Sequence, residues 1–246
     1  MCKGGNAGVN QEFLGLMATI LCIETSTEVC SVAVAEDNNM IYREVDREGP
    51  SHSVKCGVFT QNALSFAESH AIPLDAVAVS EGPGSYTGLR IGVSMAKGVA
   101  YGRNVPLIGV PTLELLCVPV LLYHEEIAED AMLIPMIDAR RMEVYAGVYD
   151  RSLRCVREVG ADIVDAESYG EFLERGQVVF FGNGAEKCRE VIKHRNAVFI
   201  PDIVPLAANM APLAEKRLRE GRIADTAYFE PFYLKEFMAT KPKKLI

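Results

Sequence analysis

The sequence predicts an α/β protein of two similar lobes, and three observations carry that expectation. Short continuous apolar runs, such as Ile20-Leu21-Cys22-Ile23 and Val178 to Phe181, suit strands covered on both faces. Longer segments between them place apolar residues at helical spacing, as Val54, Val58, Phe59, Ala63, Phe66 and Ala67 do. The order also repeats: an apolar strand, a polar turn and an alternating strand begin at Thr19 and begin again at Met132.

Taken in order, Thr19 to Glu24 is the first strand, Thr25 to Glu28 a polar turn and Val29 to Ala35 an alternating second strand. Asp37-Asn38-Asn39 marks a turn before a third strand at Met40 to Val45. Ser51 and Ser53 are candidate caps for a helix running to Ser69. Ala76 to Ser80 reads as a buried strand, Leu89 to Tyr101 as a helix, Val105 to Val110 as a strand and Leu113 to His124 as a helix despite Pro119. The second half follows with strands at Met132 to Asp138, Glu143 to Tyr149 and Arg154 to Val159, a short helix at Ser168 to Arg175, and a strand at Val178 to Phe181. Helices at Ala185 to Lys193 and Leu206 to Glu220 complete it. The charged stretch His124 to Asp130 divides the lobes, giving 18–124 and 125–246, the latter ending in a basic tail at Lys241, Lys243 and Lys244. Residues 1–17, rich in Gly and Asn, read as a disordered extension, with Met17 an alternative start.

Composition narrows the function. With 25 basic and 33 acidic residues the formal charge is −8, which argues against binding nucleic acid or an anionic membrane alone, since phosphate contacts need clustered Lys and Arg. Seven scattered cysteines without a C-x-x-C pair argue against a disulfide framework and for a reducing cytoplasm. Four well-separated histidines form no metal-binding pair, and no apolar run approaches the roughly 20 residues of a membrane span.

Three constellations are candidates for chemistry or contact. The loop Gly82-Pro83-Gly84-Ser85-Tyr86-Thr87-Gly88, between a strand and a helix, fits either a backbone cradle for an anion or a tight turn. It matches neither G-x-G-x-x-G nor the P-loop. Gly88, Gly92, Ala96 and Ala100 form a small-residue stripe, suited to close packing inside the subunit or between subunits. Glu24-Thr25-Ser26-Thr27, with the matching turn Asp138, Arg140 and Arg141 in the second half, offers acidic turns of the kind that position a metal and phosphate, or ordinary turn chemistry. The basic residues at 187–195 and 216–222, interleaved with acids, read as solvated helix faces.

These segments resemble the TsaB (YeaZ) family. The similarity runs through Ile23 to Ala33, Gly82 to Gly92, Ile108 to Leu113, Ile137 to Tyr145 and Glu230 to Lys235, in family order and over nearly everything after Met17. It implies the duplicated actin/hexokinase/Hsp70-like (ribonuclease H-like) fold. It also implies a cytoplasmic, non-catalytic partner of TsaD in synthesis of threonylcarbamoyladenosine next to the anticodon of tRNAs that read codons beginning with A. TsaE joins the larger assembly, tRNA is met only within the complex, and no cofactor or membrane is implied. TsaD-like relatives place His-Met-Glu-Gly-His after the strand that follows the glycine-rich helix. Here Thr112 and Leu116 replace those two metal-binding histidines, and Leu has no donor atom. Glu24 stands where the family usually has Asp, leaving Glu24, Thr25 and Asp138 as vestigial cofactor-binding candidates. The resemblance puts the TsaD contact, and a competing homodimer contact, on the first two helices, carried over to Val54, Val58, Phe59, Leu89, Gly92, Val93 and Ala96. Rival expectations are a small-molecule kinase using Glu24 and Asp138, and a glycoprotease-like peptidase, which lacks an evident Ser/His/Asp order.

Overall fold

A computed structural model describes residues 18–49 and 52–235. The proposed N-terminal extension, the Ser51 cap and the Lys-rich tail lie outside the described residues. The first half runs β1 (Thr19–Glu24), β2 (Cys30–Glu36), β3 (Asn39–Asp46), α1 (His52–Ser69), β4 (Ala76–Gly82), α2 (Tyr86–Arg103), β5 (Leu107–Pro111) and α3 (Thr112–Tyr123). The second runs β6 (Met132–Asp138), β7 (Glu143–Tyr149), β8 (Cys155–Ile163), α4 (Gly170–Leu173), β9 (Val178–Phe181), β10 (Ala197–Ile200) and α5 (Ala211–Arg219).

Each half builds one five-stranded sheet, in the orders β3-β2-β1-β4-β5 and β8-β7-β6-β9-β10. In both, the opening three strands form an antiparallel meander and the last two join in parallel. The duplication is thus topological as well as sequential. Central strands β1 and β9 are buried along their full length, which explains their unbroken apolar runs.

Four apolar layers hold the lobes together. Helices α1 and α2 cover one face of the first sheet, packing Cys56, Phe59, Ala63, Val93 and Ala96 onto Leu21, Ile23, Val32 and Val79. The other face, with Ile20, Cys22, Ile108 and Val110, meets Leu115 and Val118 of α3 and Leu213, Ala214 and Leu218 of α5. The opposite side of α3, through Leu113, Leu116, Cys117 and Val120, packs on Leu133, Ile137, Val179 and Phe181 of the second sheet. Helix α3 therefore lies between the sheets, and a helix covered on both sides is apolar all round. The outer face of the second sheet is closed by Phe172, Leu173, Ala185, Cys188 and Ile192.

The structure departs from the sequence reading in several places. Helix α2 begins at Tyr86 because Ser85 caps it, its hydroxyl accepting the Gly88 N–H at 3.3 Å. The helix expected at Ala185 to Lys193 is one 3₁₀ turn at Glu186–Cys188, and Ala197–Ile200, not anticipated, is the edge strand β10. The single helix expected at Leu206 to Glu220 is a 3₁₀ turn (Ala207–Asn209) followed by α5, with Pro212 in the first turn of α5. Helix α5 and the segment after it pack on the first sheet, with Leu213 and Leu218 in its core and Ala224 bridged to Leu107. Of the cysteines, Cys22, Cys30, Cys56, Cys117 and Cys188 are buried and Cys155 is exposed; all six are free thiols.

Candidate functional site

The carboxyl ends of β1, β4 and β5 are where an open α/β sheet offers a ligand site, so the first-half candidates meet there. Glu24 ends β1 and is fully buried. Its Oε1 accepts the Ser26 N–H and the Ser26 hydroxyl, each at 2.5 Å, and its Oε2 accepts the Ser80 hydroxyl. Burial pushes the Glu24 pKa up to about 7, against the opposing pull of the Ser26 hydrogen bonds. The carboxyl group is turned into the protein, with Ser26 and Ser80 as its partners. Thr25 likewise donates its hydroxyl to the Gly88 carbonyl at 2.7 Å.

The glycine-rich loop resolves to a tight turn. Gly82 sits at φ +116°, and a Cβ there would lie 2.5 Å from the Phe232 carbonyl oxygen. Gly84 presses on Ser26 and Gly88 on the Thr25 carbonyl, so the loop is stacked directly onto the β1 turn. Its Ser85 N–H, a candidate anion donor, is taken by the Ser26 carbonyl at 2.7 Å. That N–H is therefore committed to the chain's own backbone.

In the second lobe the same loop recurs as Gly182-Asn183-Gly184, again with a left-handed first glycine (φ +100°) and again pressed onto the preceding strand end, here Met136 and Ile137. Asp138, unlike Glu24, is half-exposed and ion-paired with Lys187, whose ammonium also donates to the Glu143 carbonyl at 2.7 Å. Asn183 accepts the Asp138 N–H at 3.0 Å and donates across the lobes to Glu28 at 3.3 Å. Sequence reasoning missed Lys187 and Asn183; the repeated Gly-x-Gly after β4 and β9 was the available signal.

At the metal-ligand positions of the TsaD-like relatives, Leu116 is enclosed in the apolar layer and Thr112 is buried with its hydroxyl unpaired. Among the described residues no three His, Cys, Asp or Glu side chains converge. Nearby, Arg217 pairs with Glu114 at 2.6 Å and is only 5% exposed, so it is a buried partner and not the solvated face expected of it. Arg219 pairs with Glu215 at i,i+4, as a solvated helix face implies, whereas Arg189 and Lys193 pair with Glu186 and Glu190 at i,i+3.

The candidate interface divides. Leu89, Gly92, Val93 and Ala96 are buried against the chain's own first sheet, and Phe59 nearly so. The stripe Gly88, Gly92, Ala96 and Ala100 serves internal packing: a Cβ on Gly92 would collide with the Thr25 hydroxyl. A substitution such as Gly92→Leu therefore breaks the core and says nothing of a partner. Val54 and Val58 stand out at 66% and 48% exposed. Separately, an apolar groove of about 500 Å³ lies between α1 and α2, lined by Leu64, Ile91, Met95 and Val99 with Ser94 and Arg103. Gly98 and Gly102 form its open floor, with nothing within 4 Å of a Cβ at either position. The outward face of α2 carries its own glycine pair four residues apart, offset from the inward stripe; the sequence contained it.

Comparison with known proteins agrees with this architecture. The family described as TsaD, tRNA N6-adenosine threonylcarbamoyltransferase, matches residues 48–243. The chain is similar to the tRNA threonylcarbamoyladenosine biosynthesis protein TsaB of Escherichia coli (strain K12), 30% identical over 230 residues, covering 90% of this chain and 96% of that protein. It is also similar to TsaB of Bacillus subtilis (strain 168), 31% identical over 144 residues, covering 58% and 60% of the two chains. The solved structure of YeaZ from Pseudomonas aeruginosa has the same fold, with a TM-score of 0.74 at 24% identity over 89% of this chain and all of that one. On the extent of these matches, the chain belongs to the TsaB (YeaZ) family.

Proposed function

We propose that the chain is the non-catalytic subunit that docks onto and activates TsaD in the synthesis of threonylcarbamoyladenosine on tRNA. Its place in that biosynthesis follows from its TsaB relatives. The scaffold role is supported chiefly by one observation: in the first lobe Glu24 is enclosed and the Ser85 N–H is bound to Ser26, while an apolar groove between α1 and α2 is open. A kinase would need Glu24 accessible to a metal, and it is fully buried. TsaD occupies the α1–α2 groove, a second copy of this chain competes for it as a homodimer, TsaE joins the larger complex, and tRNA is bound by the assembly in the cytoplasm. No described helix is long and apolar enough to cross a membrane.

The interface residues assigned on this reading are Val54, Val58, Ile91, Met95 and Val99, in place of the buried Leu89, Gly92, Val93 and Ala96. The test mixes purified chain with TsaD, TsaE, tRNA, ATP, threonine, bicarbonate and the adenylate-forming enzyme. Modified nucleoside should require the chain, survive Glu24→Gln and be lost with Met95→Glu, which puts a charge in the groove; because Met95 also packs against the core, the variant is first shown by thermal unfolding to be folded. Product formed equally well with Met95→Glu removes the proposed surface; product lost with a folded Glu24→Gln variant removes the non-catalytic role.

A further inference from the structure

The segment following α5 makes contacts that neither the buried pocket nor the groove accounts for. From Ala224 to Lys235 it follows the outer edge of the first sheet and then crosses to the second lobe. Ala224 donates its N–H to the Leu107 carbonyl at 2.8 Å, pairing with the exposed edge of β5. The Phe229 ring lies over Gly109, where a Cβ would come within 2.8 Å of it. Phe232 donates its N–H to the Glu81 carbonyl at 2.6 Å at the carboxyl end of β4.

Helix α2 grips this segment twice. The Lys97 ammonium donates to the Ala227 and Phe229 carbonyls at 3.1 and 3.0 Å, and Tyr86, the first residue of α2, has its ring 4.8 Å from that of Tyr233. Two residues later Lys235 forms an ion pair with Glu143, at the start of β7 in the other lobe. One short segment thus connects the helix bearing Ile91 and Met95 with the second sheet.

We propose that residues 224–235 are a brace that fixes α2 relative to the second lobe, with Lys97 and Lys235 as positioning residues for the docking face. Its first readout is independent of the proposed function; its second rests on that reading. A single ion pair at the surface contributes little by Coulomb energy alone. Reversing one charge also introduces repulsion, and the reciprocal reversal relieves it, so the pair is testable by a charge swap.

The experiment uses the full chain with Lys97→Met, Lys235→Glu, Glu143→Lys and the combined Lys235→Glu/Glu143→Lys variant. In the isolated chain, amide exchange of residues 82–89 and 107–111 should rise about three- to tenfold in each single variant and return to within about twofold of wild type in the swap. Affinity for TsaD should fall about tenfold in the single variants and recover in the swap, although none of these residues lines the groove. Unchanged exchange in the single variants, or a swap that fails to restore it, overturns the brace. Faster exchange with wild-type affinity overturns its positioning role. If exchange responds as stated but the wild-type chain does not bind TsaD, the brace stands and the proposed function fails.

Discussion

The two lobes share a topology and a Gly-x-Gly loop but treat the end of their first strand in opposite ways. In the first lobe Glu24 is sealed beneath Ser26, Ser80 and the glycine loop. In the second, Asp138 lies half in solvent, with Arg140 and Arg141 following at left-handed φ of 73° and 50°. The helices differ in step: 18-residue α1 and α2 flank the first sheet, whereas the outer face of the second carries the four-residue α4 and a 3₁₀ turn. Long helices need a close seat, and α2 obtains it by pressing Gly88 and Gly92 onto the β1 turn. The packing that builds an extended helical face is the same packing that closes the pocket.

That link breaks most visibly at Gly88. A Cβ there would overlap the Thr25 carbonyl, a backbone atom that cannot swing aside. Gly88→Val is expected to cost about 3 kcal/mol or more by overpacking, lowering the melting temperature by roughly 10 °C in a chain of this size. Thermal unfolding measures it. A Gly88→Val variant melting within a degree or two of wild type would show that α2 does not depend on this seat.

The sealed carboxylate gives the second test, through pH. The Glu24 pKa rises from an ordinary 4.5 in the unfolded chain to about 7 when folded. Between those values the folded state holds the extra proton, so stability falls as pH rises and levels off above about 7. The span corresponds to about 3 kcal/mol. Glu24→Gln keeps an acceptor for Ser26 and offers an amide to Ser80, so it should remove this slope and stabilise the protein at pH 8. Denaturant unfolding at pH 5 and pH 8 decides it: equal slopes in the two proteins would mean that Glu24 is charged in its pocket.

Legibility in the sequence followed the range of the interactions. Strands at Thr19–Glu24, Met132–Asp138 and Val178–Phe181 were readable to the residue, because burial on both faces imposes a local apolar run. The duplicated order was readable for the same reason. The Ala197–Ile200 strand was missed although Ala-Val-Phe-Ile is a short apolar run; it pairs in parallel with β9 at the sheet edge. For the candidate residues, spacing was legible but orientation was not. Spacing of four placed Gly88, Gly92, Ala96 and Ala100 on one face of α2, yet only tertiary packing decides whether that face looks inward. Arg217 was misread similarly: its alternation with acids fits a solvated helix, but its partner Glu114 lies 103 positions away in sequence.

The mildest change probes the open lobe. Lys187 joins Asp138 to the Glu143 carbonyl at an edge where both charged side chains keep solvent contact, 24% and 45% exposed. An exposed pair of this kind contributes about 0.2–1 kcal/mol, because water already solvates each ion and salt screens the attraction. Lys187→Met retains most of the aliphatic stem and removes the charge, so the loss should stay within that range and shrink as ionic strength rises. The corresponding disruption in the first lobe, Ser80→Ala, removes a donor from a carboxylate with no access to water, and should cost about 1–3 kcal/mol with little salt dependence. Denaturant titrations at low and high salt compare the two. If Lys187→Met proves as costly and as salt-insensitive as Ser80→Ala, the second-lobe turn is sealed in solution too, and the contrast between the lobes disappears.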